Sequence, residues 1–123
     1  MKRVLVVDDD DDMRALMSLI LSDSYEVSSA PDGSAGLELA RKLRPDLVVL
    51  DLLMPRMHGF EVCRRIREDA DLKAVKILIS SSKSYQHDVT TSVQETGADD
   101  YIVKPFEVDA FKKRVADLLE PGA

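Results

Sequence analysis

The sequence predicts an α/β domain of the (βα)5 kind, a parallel five-stranded sheet with helices on both faces, and three observations carry that prediction. Short aliphatic runs alternate with amphipathic stretches five times along the chain. Residues 4–7, 47–50 and 77–79 are continuously aliphatic, the pattern of parallel strands buried on both faces. The length of 123 residues is that of one domain, and 45% hydrophobic with 33% charged residues is an ordinary globular composition. A single domain over residues 1–123 is expected, with no room for an appended second one.

Each element has its own signal. After the first run, Met13, Leu16, Met17, Ile20 and Leu21 recur at helical spacing. Residues 25–29 form a weaker second strand. Asp32-Gly33 marks a turn, and Leu37, Ala40 and Leu43 make a second helical stripe that Pro45 ends, weakened somewhat by Gly36. The third strand is 47–50. Beyond the breakers Pro55 and Gly59, a third helix carries Val62, Cys63 and Ile66. Strand four is 77–79, and a fourth helix is read from Val89 and Val93, ending at Gly97. Residues 100–103 give a weaker fifth strand. Val108, Phe111, Val115, Leu118 and Leu119 form the clearest apolar helix face, before Pro121-Gly122.

Such a chain folds as a three-layer sandwich with right-handed crossovers. In the flavodoxin-like strand order 2-1-3-4-5, function gathers in the loops beyond the carboxyl ends of the strands, where the winding reverses. Seventeen Lys and Arg against twenty-three Asp and Glu give a net charge of −6, which disfavours direct binding of nucleic acid or anionic lipid. The apolar run near the amino terminus is too short for a signal-peptide core or a membrane span, and the lone Cys63 makes no internal bridge. A cytoplasmic location without membrane insertion is the expectation.

The carboxyl edge is where polar residues collect. Asp8 to Asp12 follow strand one, Asp51 follows strand three, Ser80-Ser81-Ser82 follow strand four and Lys104-Pro105 follow strand five. With strands one and three adjacent, Asp8 and Asp9 sit beside Asp51. Carboxylates so close repel unless a cation joins them, and an oxygen-only ligand set suits Mg2+ or Mn2+. A carboxylate is also a nucleophile that forms an acyl phosphate. The transferred group then needs positive charge, here Lys104 and the metal, and a hydroxyl donor from the end of strand four.

Three stretches then carry a family resemblance. They are Val4-Leu5-Val6-Val7-Asp8-Asp9; Leu47-Val48-Val49-Leu50-Asp51 with Met54-Pro55 and Gly59; and Thr96-Gly97-Ala98-Asp99-Asp100-Tyr101-Ile102-Val103-Lys104-Pro105-Phe106. In this order and spacing they resemble the receiver domain of bacterial two-component response regulators, over nearly the whole chain. The resemblance implies that Asp51 accepts the phosphoryl group, that Asp9 binds Mg2+ directly and that Asp8 binds it largely through water. The backbone carbonyl of Leu53 would complete the protein's share of the metal shell. Lys104 would pair with Asp51 or its phosphoryl group, next to a Lys104-Pro105 bond that the family usually holds cis. Tyr101 resembles the aromatic switch that turns inward when the strand-four hydroxyl meets the phosphate.

Two counts disagree on that hydroxyl. The family's interval back from Gly97 points to Ser82, whereas aligning the buried run with Lys83-Ser84-Tyr85 points to Ser81; Ser80 would place Lys76 inside the strand. Ser81 is the expected residue. The sequence departs from the family at His58, where Asp is frequent, and Leu53 offers no polar side chain to guide an attacking water, which implies unassisted dephosphorylation. Asp10, Asp11 and Asp12 read as a solvated, helix-capping cluster. Cys63 reads as a core side chain, and His58 and His87 as surface or loop residues.

The function implied is a signalling switch, not an enzyme acting on outside substrates, that catalyses only its own phosphorylation and dephosphorylation. Its phosphodonor would be a sensor histidine kinase, a phosphotransfer protein or a small phosphodonor. Its output would be a change in the face built from the fourth helix, the fifth strand and the fifth helix. A downstream effector protein, or an effector domain lying outside this chain, would read that face, and a phosphorylation-dependent homodimer belongs to the same reading. Two other classes compete: a constitutive interaction domain, against which the intact set of Asp8, Asp9, Asp51, Ser81 and Lys104 speaks, and a Mg2+-dependent phosphohydrolase using Asp8-x-Asp10, against which the position of Asp51 after strand three speaks.

Overall fold

In the computed structural model, residues 1–54, 57–82 and 97–120 are described. The helix read from Val89 and Val93 lies outside them, as do Ser84, Tyr85 and His87. The strands are β1 (Arg3–Val7), β2 (Glu26–Ala30), β3 (Leu47–Asp51), β4 (Lys76–Ser82) and β5 (Asp100–Lys104). Between them run α1 (Asp11–Leu21), α2 (Gly33–Leu43) and α3 (Gly59–Glu68), and a last helix spans Val108–Leu119. The five strands are all parallel, in the order β2-β1-β3-β4-β5. This is the flavodoxin-like sheet that the sequence predicts.

The strand periodicity of two sorts the central residues into two cores. On one face, Leu5, Val7, Val48, Leu50, Ile77 and Ile79 pack with Leu37 and Ala40 of α2 and with Val62, Cys63 and Ile66 of α3. On the other, Val4, Val6, Leu47, Val49, Leu78 and Ile102 pack with Met17 and Leu21 of α1 and with Phe111, Val115 and Leu119 of the last helix. Every residue of β3 is buried, so a strand uniformly apolar up to its last position carries one acidic residue at its end. Each fully buried aliphatic side chain contributes about 1.5–3 kcal/mol.

Caps fix the helix starts. Asp10 accepts hydrogen bonds from the amides of Asp12 (2.9 Å) and Met13 (3.1 Å), and Asp32 accepts one from Ala35 (2.8 Å). The Asp10 contacts agree with the capping role read for part of the acidic run. Gly36 has a packing reason that outweighs its poor helix propensity: a Cβ there would lie 2.7 Å from Cγ2 of Val7. Only a residue without a side chain lets α2 lie this close to β1.

Candidate functional site

The register of the sheet sets the site. Val7 pairs with Leu50, so Asp8 emerges abreast of Asp51, and Asp51 pairs in turn with Ser80. At the outer edge Ser82 pairs with Lys104. An open cavity of about 280 Å³ lies over these strand ends, lined by Asp8, Asp9, Asp10, Asp51, Leu52, Leu53, Ser82 and Lys104.

Asp8 is fully buried and Asp51 is 8% exposed, while Asp9 is open to solvent. Carboxylate oxygens of the three approach within 4.8 Å of one another. The Lys104 ammonium reaches back from the edge strand, with Nζ 2.9 Å from Asp8 Oδ2 and 3.3 Å from Asp51 Oδ1. Asp8 Oδ1 accepts a further hydrogen bond from the Asp10 amide at 2.9 Å. The Lys104-Pro105 peptide is cis.

The electrostatics follow from burial. Removal from water pushes the Asp51 carboxyl up from 3.8 to about 7; the Lys104 charge opposes this and the Asp8 charge adds to it. Burial acts against the charge on Lys104, but its hydrogen bond to Asp8 and the charges of Asp51 and Asp8 outweigh that and raise its pKa above the usual value. A carboxyl that ionises near neutrality next to two others attracts positive charge strongly.

The donor set fits a hard divalent cation. Three acidic side chains converge and one ammonium opposes them, so with all groups ionised the formal charge is −2, the complement of one such ion. The oxygen-only ligands and the open cavity match Mg2+, which keeps some of its positions for water or phosphate oxygens. Asp8, Asp9 and Asp51 would hold the ion, with the backbone at Leu53 on the same wall.

Asp8, Asp9, Asp51, Leu53 and Lys104 thus share one cavity, as expected, and Ser81 does not. Alternation along β4 turns Ser81 to the same side of the sheet as Ile79, toward the core beneath α2 and α3. There it is 1% exposed, and its hydroxyl has no hydrogen-bond partner among the described residues. Ser82, one residue on and opposite Lys104, lines the cavity instead. The interval back from Gly97 points to this residue. Ser80 is also buried, its hydroxyl without a partner among the described residues, and Lys76 does lie within β4, at its exposed first position. Tyr101 is half-buried and packs against the same core that Ser81 faces.

His58 has a role that its residue type did not announce. It caps α3, its Nδ1 accepting a hydrogen bond from the Phe60 amide at 3.3 Å, as an Asp carboxylate would at this position. The next residue explains why the turn is tight. A Cβ on Gly59 would stand 2.4 Å from the Asp51 carbonyl oxygen, so α3 starts directly against the backbone of the acidic strand end.

A family model described as "Response regulator receiver domain" matches residues 4–116. Among curated relatives, the DNA-binding dual master transcriptional regulator RpaA of Synechocystis is 39% identical over 120 residues, which are 97% of this chain and 49% of that protein. The transcriptional regulatory protein AfsQ1 of Streptomyces coelicolor is 39% identical over 123 residues, 99% of this chain and 53% of its own. The chain therefore spans about half the length of the curated relatives it matches. Among solved structures, the chemotaxis protein CheY4 of Vibrio cholerae superposes with a TM-score of 0.90 at 33% identity, covering 97% of this chain and 99% of that one. Sheet order, convergent acidic strand ends and sequence likeness agree, and the chain belongs to the response regulator receiver domain family.

Proposed function

We propose that this domain is a Mg2+-dependent phosphorylation switch whose acceptor is Asp51. The observation that carries the reading is the placement of the Asp51 carboxylate, nearly buried on the wall of an open cavity beside Asp8, Asp9 and the Lys104 ammonium. A carboxylate oxygen of Asp51 attacks phosphorus in line; the new O–P bond forms as the donor's P–N bond to histidine, or P–O bond to a small acyl phosphate, breaks and the leaving group departs with its electron pair. Lys104 stabilises the equatorial oxygens from one side. The hydroxyl of Ser82, which lines the cavity beside its register partner Lys104, is the neutral donor, in place of Ser81. When Mg2+ is bound, its charge keeps the carboxylates ionised and balances the negative charge of the transferring group. Hydrolysis returns Asp51 to a carboxylate and releases inorganic phosphate, and Leu53 gives the attacking water no side-chain guidance.

Tyr101 is the side chain whose position reports the phosphorylated state, through the face that includes β5 and the last helix. The donors are a sensor histidine kinase, a phosphotransfer protein or a small phosphodonor. The reader is an effector protein or an effector domain joined to this one, since the longer relatives are named as transcriptional regulators. A homodimer formed on phosphorylation fits the same face. No described helix is long and apolar enough to cross a membrane; the site of action in this reading is the cytoplasm.

The test is intact-mass analysis after incubation with Mg2+ and acetyl phosphate, repeated with a phosphohistidine donor. One added phosphoryl group, lost on chelation of Mg2+ and in Asp51→Asn, is the expected result. A phosphoprotein formed equally well by Asp51→Asn would overturn the assignment.

A further inference from the structure

Arg14 does not line the cavity, yet it holds the piece of chain that carries two of the three converging carboxylates. Its Nη1 donates to the backbone carbonyl of Asp8 at 2.7 Å, and its Nη2 donates to Asp11 Oδ1 at 2.5 Å. The side chain is 19% exposed although it stands on the first turn of α1, next to a run of five acidic residues. Asp11 itself is 86% exposed, so the ion pair contributes little by itself. The bond to the carbonyl is the informative one. That oxygen belongs to the planar peptide unit joining Asp8 to Asp9, and the plane's orientation sets the direction in which Asp9 leaves Asp8. One carboxylate of the pair is fully buried and the other is exposed, and both must face the same point.

We infer that Arg14 is a positioning residue for the metal site: one arm of its guanidinium, anchored by the other on Asp11, locks the Asp8–Asp9 peptide so that both carboxylates address one cation. This rests on the Mg2+-dependent reading given above. The planar fork matters here, because the two acceptors are served by different guanidinium nitrogens and a single ammonium does not reproduce the two fixed donors.

Charge and positioning make opposite predictions. If Arg14 acted only as a positive charge near the site, Arg14→Met would tighten Mg2+ binding by removing a repulsive neighbour, and Arg14→Lys would leave it unchanged. Positioning requires that both substitutions weaken it, by roughly 10-fold, as for other outer partners of metal ligands. Titration calorimetry of the full chain with MgCl2 measures this directly, without any phosphodonor. The second readout is phosphorylation by acetyl phosphate: both variants should recover the wild-type rate at saturating Mg2+, because the acceptor, Lys104 and Ser82 are untouched. Arg14→Lys keeps the charge and the aliphatic stem, so it decides the matter if Arg14→Met fails to fold.

Unchanged Mg2+ affinity in Arg14→Lys, or tighter binding in Arg14→Met, overturns the inference. If the wild-type chain binds Mg2+ with the expected Arg14 dependence but never takes a phosphoryl group, the acceptor reading fails and the positioning role stands. If the wild type is phosphorylated and the variants bind Mg2+ normally, the positioning role alone fails.

Discussion

Asp51 is buried, acidic and surrounded by other charges, and that combination ties the stability of the domain to pH. Its carboxyl ionises near pH 7 in the fold and near 3.8 ordinarily, so between those values the folded state binds more protons than the unfolded one. The stabilisation is complete below about pH 4 and is lost as pH rises through about 7. Urea denaturation of the metal-free protein across that window should therefore show a decline with rising pH that is missing in Asp51→Asn, and saturating Mg2+ should remove it by competing with the proton. Equal slopes for the two proteins would sink the proposal. Ser81 offers a second test at this scale. Its buried hydroxyl has no partner among the described residues, so within them it carries a desolvation penalty without return. Ser81→Ala should raise stability by about 1 kcal/mol, read as a higher denaturation midpoint, with the Asp51 phosphorylation rate unchanged. A loss of phosphorylation in that variant would return Ser81 to the site.

The elements meet the site through their ends. The start of α3 rests on β3 because residue 59 has no side chain, and the capping hydrogen bond of His58 sits one residue earlier. Gly59→Ala forces a carbon into the Asp51 carbonyl, a contact that only backbone movement relieves. The expected cost is about 1–3 kcal/mol of stability, with slower phosphorylation even in the folded fraction, because the peptide of the proposed acceptor must shift. Thermal melts and phosphorylation rates at a temperature well below the midpoint separate the two effects. At the far end of α3, Arg67 donates to the carbonyls of Lys73 (2.9 Å) and Gly97 (2.8 Å) and pairs with Asp99 at 2.8 Å. Asp99 also accepts a hydrogen bond from the Ile77 amide at 2.8 Å, so one side chain joins α3 to the roots of β4 and β5.

For the molecule as a whole, most of the architecture was legible because its physics is repetitive. Continuous aliphatic runs marked β1, β3 and the middle of β4, and the last helix was plain from Val108, Phe111, Val115 and Leu119, three of which are buried. Asp8, Asp9, Asp51 and Lys104 were legible because a charged residue directly after a buried strand has few other reasons to be there. Which strand-four serine lines the cavity was not. Three consecutive serines offer no apolar alternation to anchor the register, and a one-residue slip sends a side chain to the opposite face. His58 is the exposed loop residue that the sequence suggested, but its cap was not legible, because a ring nitrogen there fills a role that Asp, Asn, Ser and Thr usually fill. Gly36 read as a weak point of α2 only because local propensity says nothing about Val7 lying underneath.

Lys104 belongs to the outermost strand, yet its ammonium is tied to acids at the ends of β1 and β3. That side chain is a guy-rope from the margin of the sheet to its middle. Any new charge arriving on residue 51 changes the pull on the rope, and the strain is felt at the rim where it is pegged.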